Sequence, residues 1–80
     1  MYLTRQDPSK NINRFYSVHL QPDLFGPVCV VKEWGRLGAA GTVRRDLYVD
    51  EPTAGAAMAL RIGRKAKRGY RARTPSGGGP

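Results

Sequence analysis

Cysteine, histidine and tryptophan each occur once in these 80 residues, as Cys29, His19 and Trp34. One cysteine excludes an intramolecular disulfide and a cysteine-based zinc site. Set between Val28 and Val30, it reads as a buried, inert thiol. One histidine, on the Ser17 side of a strand-like run, reads as exposed or satisfied structure rather than a base. The carboxylates Asp23, Glu33, Asp46, Asp50 and Glu51 have no metal-ligand spacing, and no strong nucleophile motif is present. A non-enzymatic chain without catalytic residues, cofactor or metal is expected. No apolar run resembles a signal peptide or reaches membrane-spanning length, so a soluble cytoplasmic protein with no membrane partner is expected. No second apolar face or heptad seam is visible, which makes a monomer the expectation. The length allows one domain with a thin core, since a chain this short buries only about 60% of its unfolded surface.

Acidic residues are also scarce, and their distribution is informative. The net charge is +8. Residues 1–60 hold seven bases against all six acids, whereas Arg61 to Arg73 hold seven bases and no acid. A solvated helix face usually mixes signs, so an acid-free basic stretch points to an anionic partner. Nucleic acid fits best, DNA before RNA, although charge pattern alone does not separate the two.

Strand signals dominate the first half of the chain. A short edge strand is expected at Tyr2–Arg5, then a turn at Asp7-Pro8-Ser9. Phe15 to Leu20 alternates, with Tyr16, Val18 and Leu20 on one face and Phe15, Ser17 and His19 on the other. Gln21-Pro22-Asp23 and Gly26-Pro27 bracket a loop. Val28 to Arg36 is the strongest strand, rich in β-branched residues. Leu37-Gly38-Ala39-Ala40-Gly41 reads as a hairpin connection with residues at positive φ. A phosphate-cradling loop needs Lys-Ser/Thr and a helix directly afterwards; here a β-like run follows, Thr42 to Val49, with Val43, Leu47 and Val49 on one face.

Asp50-Glu51-Pro52 starts a helix, with an acidic cap and an early proline whose missing N–H costs nothing there. The helix is expected to run from Thr53 to about Arg68 and to stop at Gly69. Met58, Ile62, Ala66, Ala59 and Leu60 are assigned to its apolar half. Lys65, Arg61, Arg68, Arg64 and Lys67 are assigned to a basic ridge facing solvent. Tyr70 is expected to fold back onto the core. The expected fold class is α+β, a small antiparallel sheet of four to five strands with one C-terminal helix across it. Residues 1–9 read as an N-terminal extension, 10–73 as the domain and 74–80 as a disordered Gly/Pro tail.

Trp34-Gly35-Arg36 is the most telling tripeptide. Strand alternation throws Trp34 and Arg36 to the same face, and Gly35 between them lets another backbone or a ligand come close. An indole beside a guanidinium suits a sugar or base stacked against a phosphate. A lone tryptophan in a small domain is otherwise a core residue.

Asn13-Arg14-Phe15-Tyr16-Ser17-Val18-His19-Leu20, Trp34-Gly35-Arg36-Leu37-Gly38, Gly41, the alanine-rich helix and Gly69-Tyr70 come in an order and spacing that resemble a WGR domain. That domain occurs in DNA-damage-responsive poly(ADP-ribose) polymerases and in bacterial proteins, including short stand-alone ones. The resemblance covers about Lys10 to Arg71. It implies a compact sheet crossed by one helix, and binding near the 5′ end of a DNA break. It assigns Trp34 to the terminal sugar, Arg36 to DNA or a neighbouring domain, and Asn13 to the vicinity of the 5′-terminal phosphate. These 80 residues hold no ADP-ribosyltransferase domain, so they are not expected to signal a break by their own chemistry.

The expected function is therefore a small nucleic-acid-binding module. Asn13, Trp34 and Arg36 would recognise an end or nick, and Arg61, Arg64, Lys65, Lys67 and Arg68 would hold the backbone, extended by Arg71 and Arg73. The alternative is a protein-interaction module docking another protein domain through the Trp34-Gly35-Arg36 knob. Phe15, Tyr16 and Tyr70 are further stacking candidates, of which Tyr16 reads better as core.

Overall fold

The computed structural model describes residues 1–22 and 26–73. Alternating and β-branched runs form four strands: β1 (Tyr2–Asp7), β2 (Ile12–Pro22), β3 (Val28–Arg36) and β4 (Thr42–Tyr48). A 3-10 turn at Pro8–Lys10 joins β1 to β2 and ends on Asn11 at φ 54°. One helix, α1 (Glu51–Lys67), precedes a three-residue strand, β5 (Arg71–Arg73). All strands pair antiparallel in the order β4-β3-β2-β1-β5. β4 forms one margin of the sheet. The segment read as an N-terminal extension supplies β1, which lies between β2 and β5. β5 had no sequence signal, since three residues are too few to show alternation.

The helix boundaries follow their chemistry. The Asp50 carboxylate accepts the Thr53 N–H at 2.9 Å and is held below the usual carboxylate range by that bond. Gly69, at φ 97°, ends the helix and donates its N–H to the Ala66 carbonyl at 3.1 Å. Tyr70 then turns back and is buried, as expected.

α1 covers one face of the sheet. Leu3, Tyr16, Val18, Val28, Val30, Ala54 and Tyr70 form the core, flanked by Leu20, Trp34, Tyr48, Met58 and Ile62. Val18 is the most deeply enclosed large side chain, with no exposure. The packed helix stripe is Ala54, Met58, Ile62 and Lys65, which corrects the expected division of the helix. At about 100° per residue, seven steps bring Lys65 back to within about 20° of Met58. Two steps carry Leu60 far round the helix, where it is 57% exposed. Ala59 and Ala66 are exposed as well.

The other face of the sheet carries no helix among the described residues. Val43 and Leu47 do share a face of β4, but it is this uncovered one, and Leu47 is 71% exposed. Cys29 also lies here, beside Leu47 in the register and only half-buried, which corrects the buried thiol expected between two valines. Its neighbours Val28 and Val30 point the opposite way, into the core.

Gly35 and Gly41 meet across this uncovered side. A Cβ on Gly35 would stand 3.1 Å from Gly41 Cα; one on Gly41 would stand 2.8 Å from both Phe15 Cζ and the Trp34 carbonyl. The close neighbour of the tripeptide's glycine is therefore the returning hairpin backbone. Gly38 supplies the positive φ of that hairpin, at 83°. Residues 23–25 and 74–80, and with them Asp23 and the expected tail, lie outside the described residues. No described helix is long and apolar enough to cross a membrane.

Candidate nucleic-acid interface

At one end of the covered face the core gives way to cations. Trp34, Gly35 and Arg36 line an open hollow together with Arg14, Lys65 and Tyr70. Trp34 is half-buried, opposite Tyr16 on β2, so one part of the indole packs on the core while another faces the hollow. Alternation does place Arg36 on the same face, where Nη2 donates to Asn11 Oδ1 at 3.3 Å. Asn11 owes its position to the left-handed turn after Lys10.

Lys65 enters the hollow from α1. Its ammonium lies 4.9 Å from the Tyr16 ring centroid and 5.1 Å from that of Tyr70, within cation–π range of both. Burial lowers its pKa from the usual lysine value, and the positive charges of Arg68, Arg61 and Arg14 push the same way. Burial raises the pKa of the Tyr16 hydroxyl, which has no hydrogen-bond partner among the described residues. An aromatic wall, a crowded ammonium and two guanidiniums make a place suited to a phosphate beside a flat ring or sugar.

The expected site residues separate into four groups. Trp34, Arg36 and Lys65 come together in this hollow. Arg68 lines a different one, and Arg61 sits near enough to Lys65 to act on its charge. Arg64 and Lys67 are exposed on α1 and line neither hollow. Asn13 lies on the uncovered face, where Oδ1 accepts from Gln6 Nε2 at 3.1 Å. Arg14, absent from the expected site, also lines this hollow, as does Tyr70, one of the stacking candidates. The signal for Arg14 was present: extending the Tyr16-Val18-Leu20 alternation back by two residues puts it on the same face.

The WGR domain family matches residues 1–77. The curated "Uncharacterized protein y4dW" of Sinorhizobium fredii is 37% identical over 73 residues, 91% of this chain. The chain spans 36% of that relative's length. No solved structure matches the chain. WGR domains are generally nucleic-acid-binding modules. With its five-stranded sheet, single crossing helix and Trp34-Gly35-Arg36 at the mouth of a cationic hollow, this chain belongs to the WGR domain family.

Proposed function

We propose that this chain binds DNA ends or nicks without catalysing a reaction. Trp34 lies against the terminal sugar or base, Arg14, Arg36 and Lys65 surround the phosphate, and Arg61 and Arg68 continue the contact along the backbone. The observation that carries this reading is the company Lys65 keeps. Its crowded ammonium meets aromatic rings and further cations, an arrangement that an incoming phosphate would relieve. Asn13 faces the other side of the sheet, and its assignment to the terminal phosphate has no support from its position.

The test uses the fluorescence of Trp34. Three duplexes of equal length are titrated at two salt concentrations: one with 5′-phosphorylated blunt ends, one nicked, and one closed into a dumbbell. Quenching that requires an end or nick, with affinity falling as salt rises, is expected. Equal binding of all three without a tryptophan response would reduce the interaction to generic charge. Absence of binding at low salt would overturn the nucleic-acid reading and favour a protein partner at the tripeptide. With a labelled duplex, Trp34→Ala weakens end binding by about 1–3 kcal/mol. Trp34→Phe, which keeps more of the packing, separates stacking from folding.

A further inference from the structure

A second cationic hollow lies beyond the first, at the margin of the sheet. β5 pairs with β1 only from Tyr2 to Thr4. At Arg5, Gln6 and Asp7 that edge of β1 has no paired strand among the described residues, and there the hollow opens. Arg5, Arg68, Arg71 and Arg73 line it, with Asp7 the single carboxylate. Arg73 is fixed in place: Nε donates to Thr4 Oγ1 at 3.0 Å and Nη2 to Gln6 Oε1 at 3.2 Å. Asp7 accepts the Ser9 hydroxyl at 2.6 Å. Among the described residues only Asp46 forms ion pairs, with Lys32 and Arg44, so none of the four guanidiniums here is neutralised by a carboxylate.

The two hollows are joined by the register of the sheet. Arg5 stands directly opposite Arg14, and Arg14 directly opposite Arg36, on three adjacent strands and on one face. Like charges directly opposed across strands repel. Two such pairs in a row, with a hollow of arginines at the far end, form a track for a chain of anions. At about 4.8 Å between strands, the row from Arg36 to Arg5 covers about 10 Å. That distance accommodates about three nucleotides at the 3.4 Å rise of one duplex strand.

We propose that the hollow between β1, β5 and the end of α1 is a second phosphate site. It takes the sugar–phosphate backbone of the nucleic acid whose end lies at Trp34, and the arginine row sets its direction. The strand crosses β3, β2 and β1 rather than running along them. The proposal rests on the nucleic-acid reading above.

The test is the salt dependence of affinity for a 5′-phosphorylated blunt duplex, read by Trp34 quenching. Arg5→Gln/Arg71→Gln should lower the slope of log affinity against log salt by about 2, and Arg71→Gln alone by about 1. Arg45→Gln, an equal loss of charge on β4 at the opposite margin of the sheet, should leave the slope unchanged. The quenching at saturation stays at the wild-type value, because Trp34 still meets the end. Wild-type slopes in both hollow variants, or an equal fall in Arg45→Gln, would overturn the second site while leaving end binding intact. A wild-type protein that neither binds nor quenches would overturn both readings together. Arg71 is exposed, so its single variant keeps the test valid even where loss of Arg5 disturbs folding.

Discussion

Two lysines sit on the covered face of the same sheet and are treated in opposite ways. Lys32, on β3, is buried and ion-paired to Asp46 on β4, whose carboxylate also meets Arg44. Lys65, at the C-terminal end of α1's packed stripe, has aromatic rings beside it and arginines beyond. A buried ammonium with a carboxylate is finished structure. A half-buried one with only π faces and like charges has no countercharge among the described residues, and an anion would supply it. The difference separates a closed pair inside the face, which stabilises the fold, from the open hollow at its end.

Breaking the closed pair should have the largest effect. Asp46→Asn leaves Lys32 buried without its countercharge and should cost roughly 2–3 kcal/mol in chemical denaturation. That is below the ~3–5 of a fully buried pair, because Asp46 is partly exposed. Lys32→Met, which removes the charge itself, should restore most of that loss. The Lys32 hydrogen bond lowers the Asp46 pKa, with the nearby positive charges helping against partial desolvation. The stability this contributes is fully present above the unfolded value near 3.8. It is lost as pH falls through the lower folded value, and the difference between wild type and Asp46→Asn should shrink over that acid range.

Gly41→Ala strikes the hairpin behind Trp34, on the uncovered side. Its new methyl group would overlap Phe15 and the Trp34 carbonyl, for an expected loss of about 1–3 kcal/mol in thermal unfolding. Lys65→Met sharpens the contrast at the open end. Stability should hold or rise, since a penalised charge is removed, while affinity for a phosphorylated duplex falls roughly tenfold for one lost phosphate contact near 0.1 M salt. Affinity of the wild type should also decline as pH rises through the depressed Lys65 pKa, earlier than for an ordinary lysine; Lys65→Met should lack that early decline. The smallest change is Gly63→Ala, on open helix surface with nothing within 4 Å of an added Cβ. It should stabilise by up to about 1 kcal/mol and leave binding unchanged.

Much of this fold was legible because its signals are local. β3 is a β-branched run with the bounds its sequence suggests, and Asp50 with Pro52 marks the start of α1. The tripeptide also gave its face correctly, since two residues along a strand always return to the same side. Sequence reasoning fails where phase or distance matters. Charge alone sends Lys65 to solvent, although the helical period places it beside Met58. Its valine neighbours send Cys29 to the core, although alternation points it away from them. Arg5, Arg14 and Arg36 come from three separate strands, and only cross-strand register shows that they form a row.

β4 closes the sheet with a margin that no described strand covers. Such a margin is a template for another strand, and on β4 it carries the apolar side chains Val43 and Leu47. Arg44 and Arg45 are consecutive, so alternation sets one guanidinium on each side of the ribbon. A second copy approaching this edge would meet positive charge on either side, in a protein already at +8. Under the proposed function, the excess of arginine that would draw a polyanion to one end of the molecule would also oppose the approach of a second copy at the other, through charge that forms no part of the proposed binding surface.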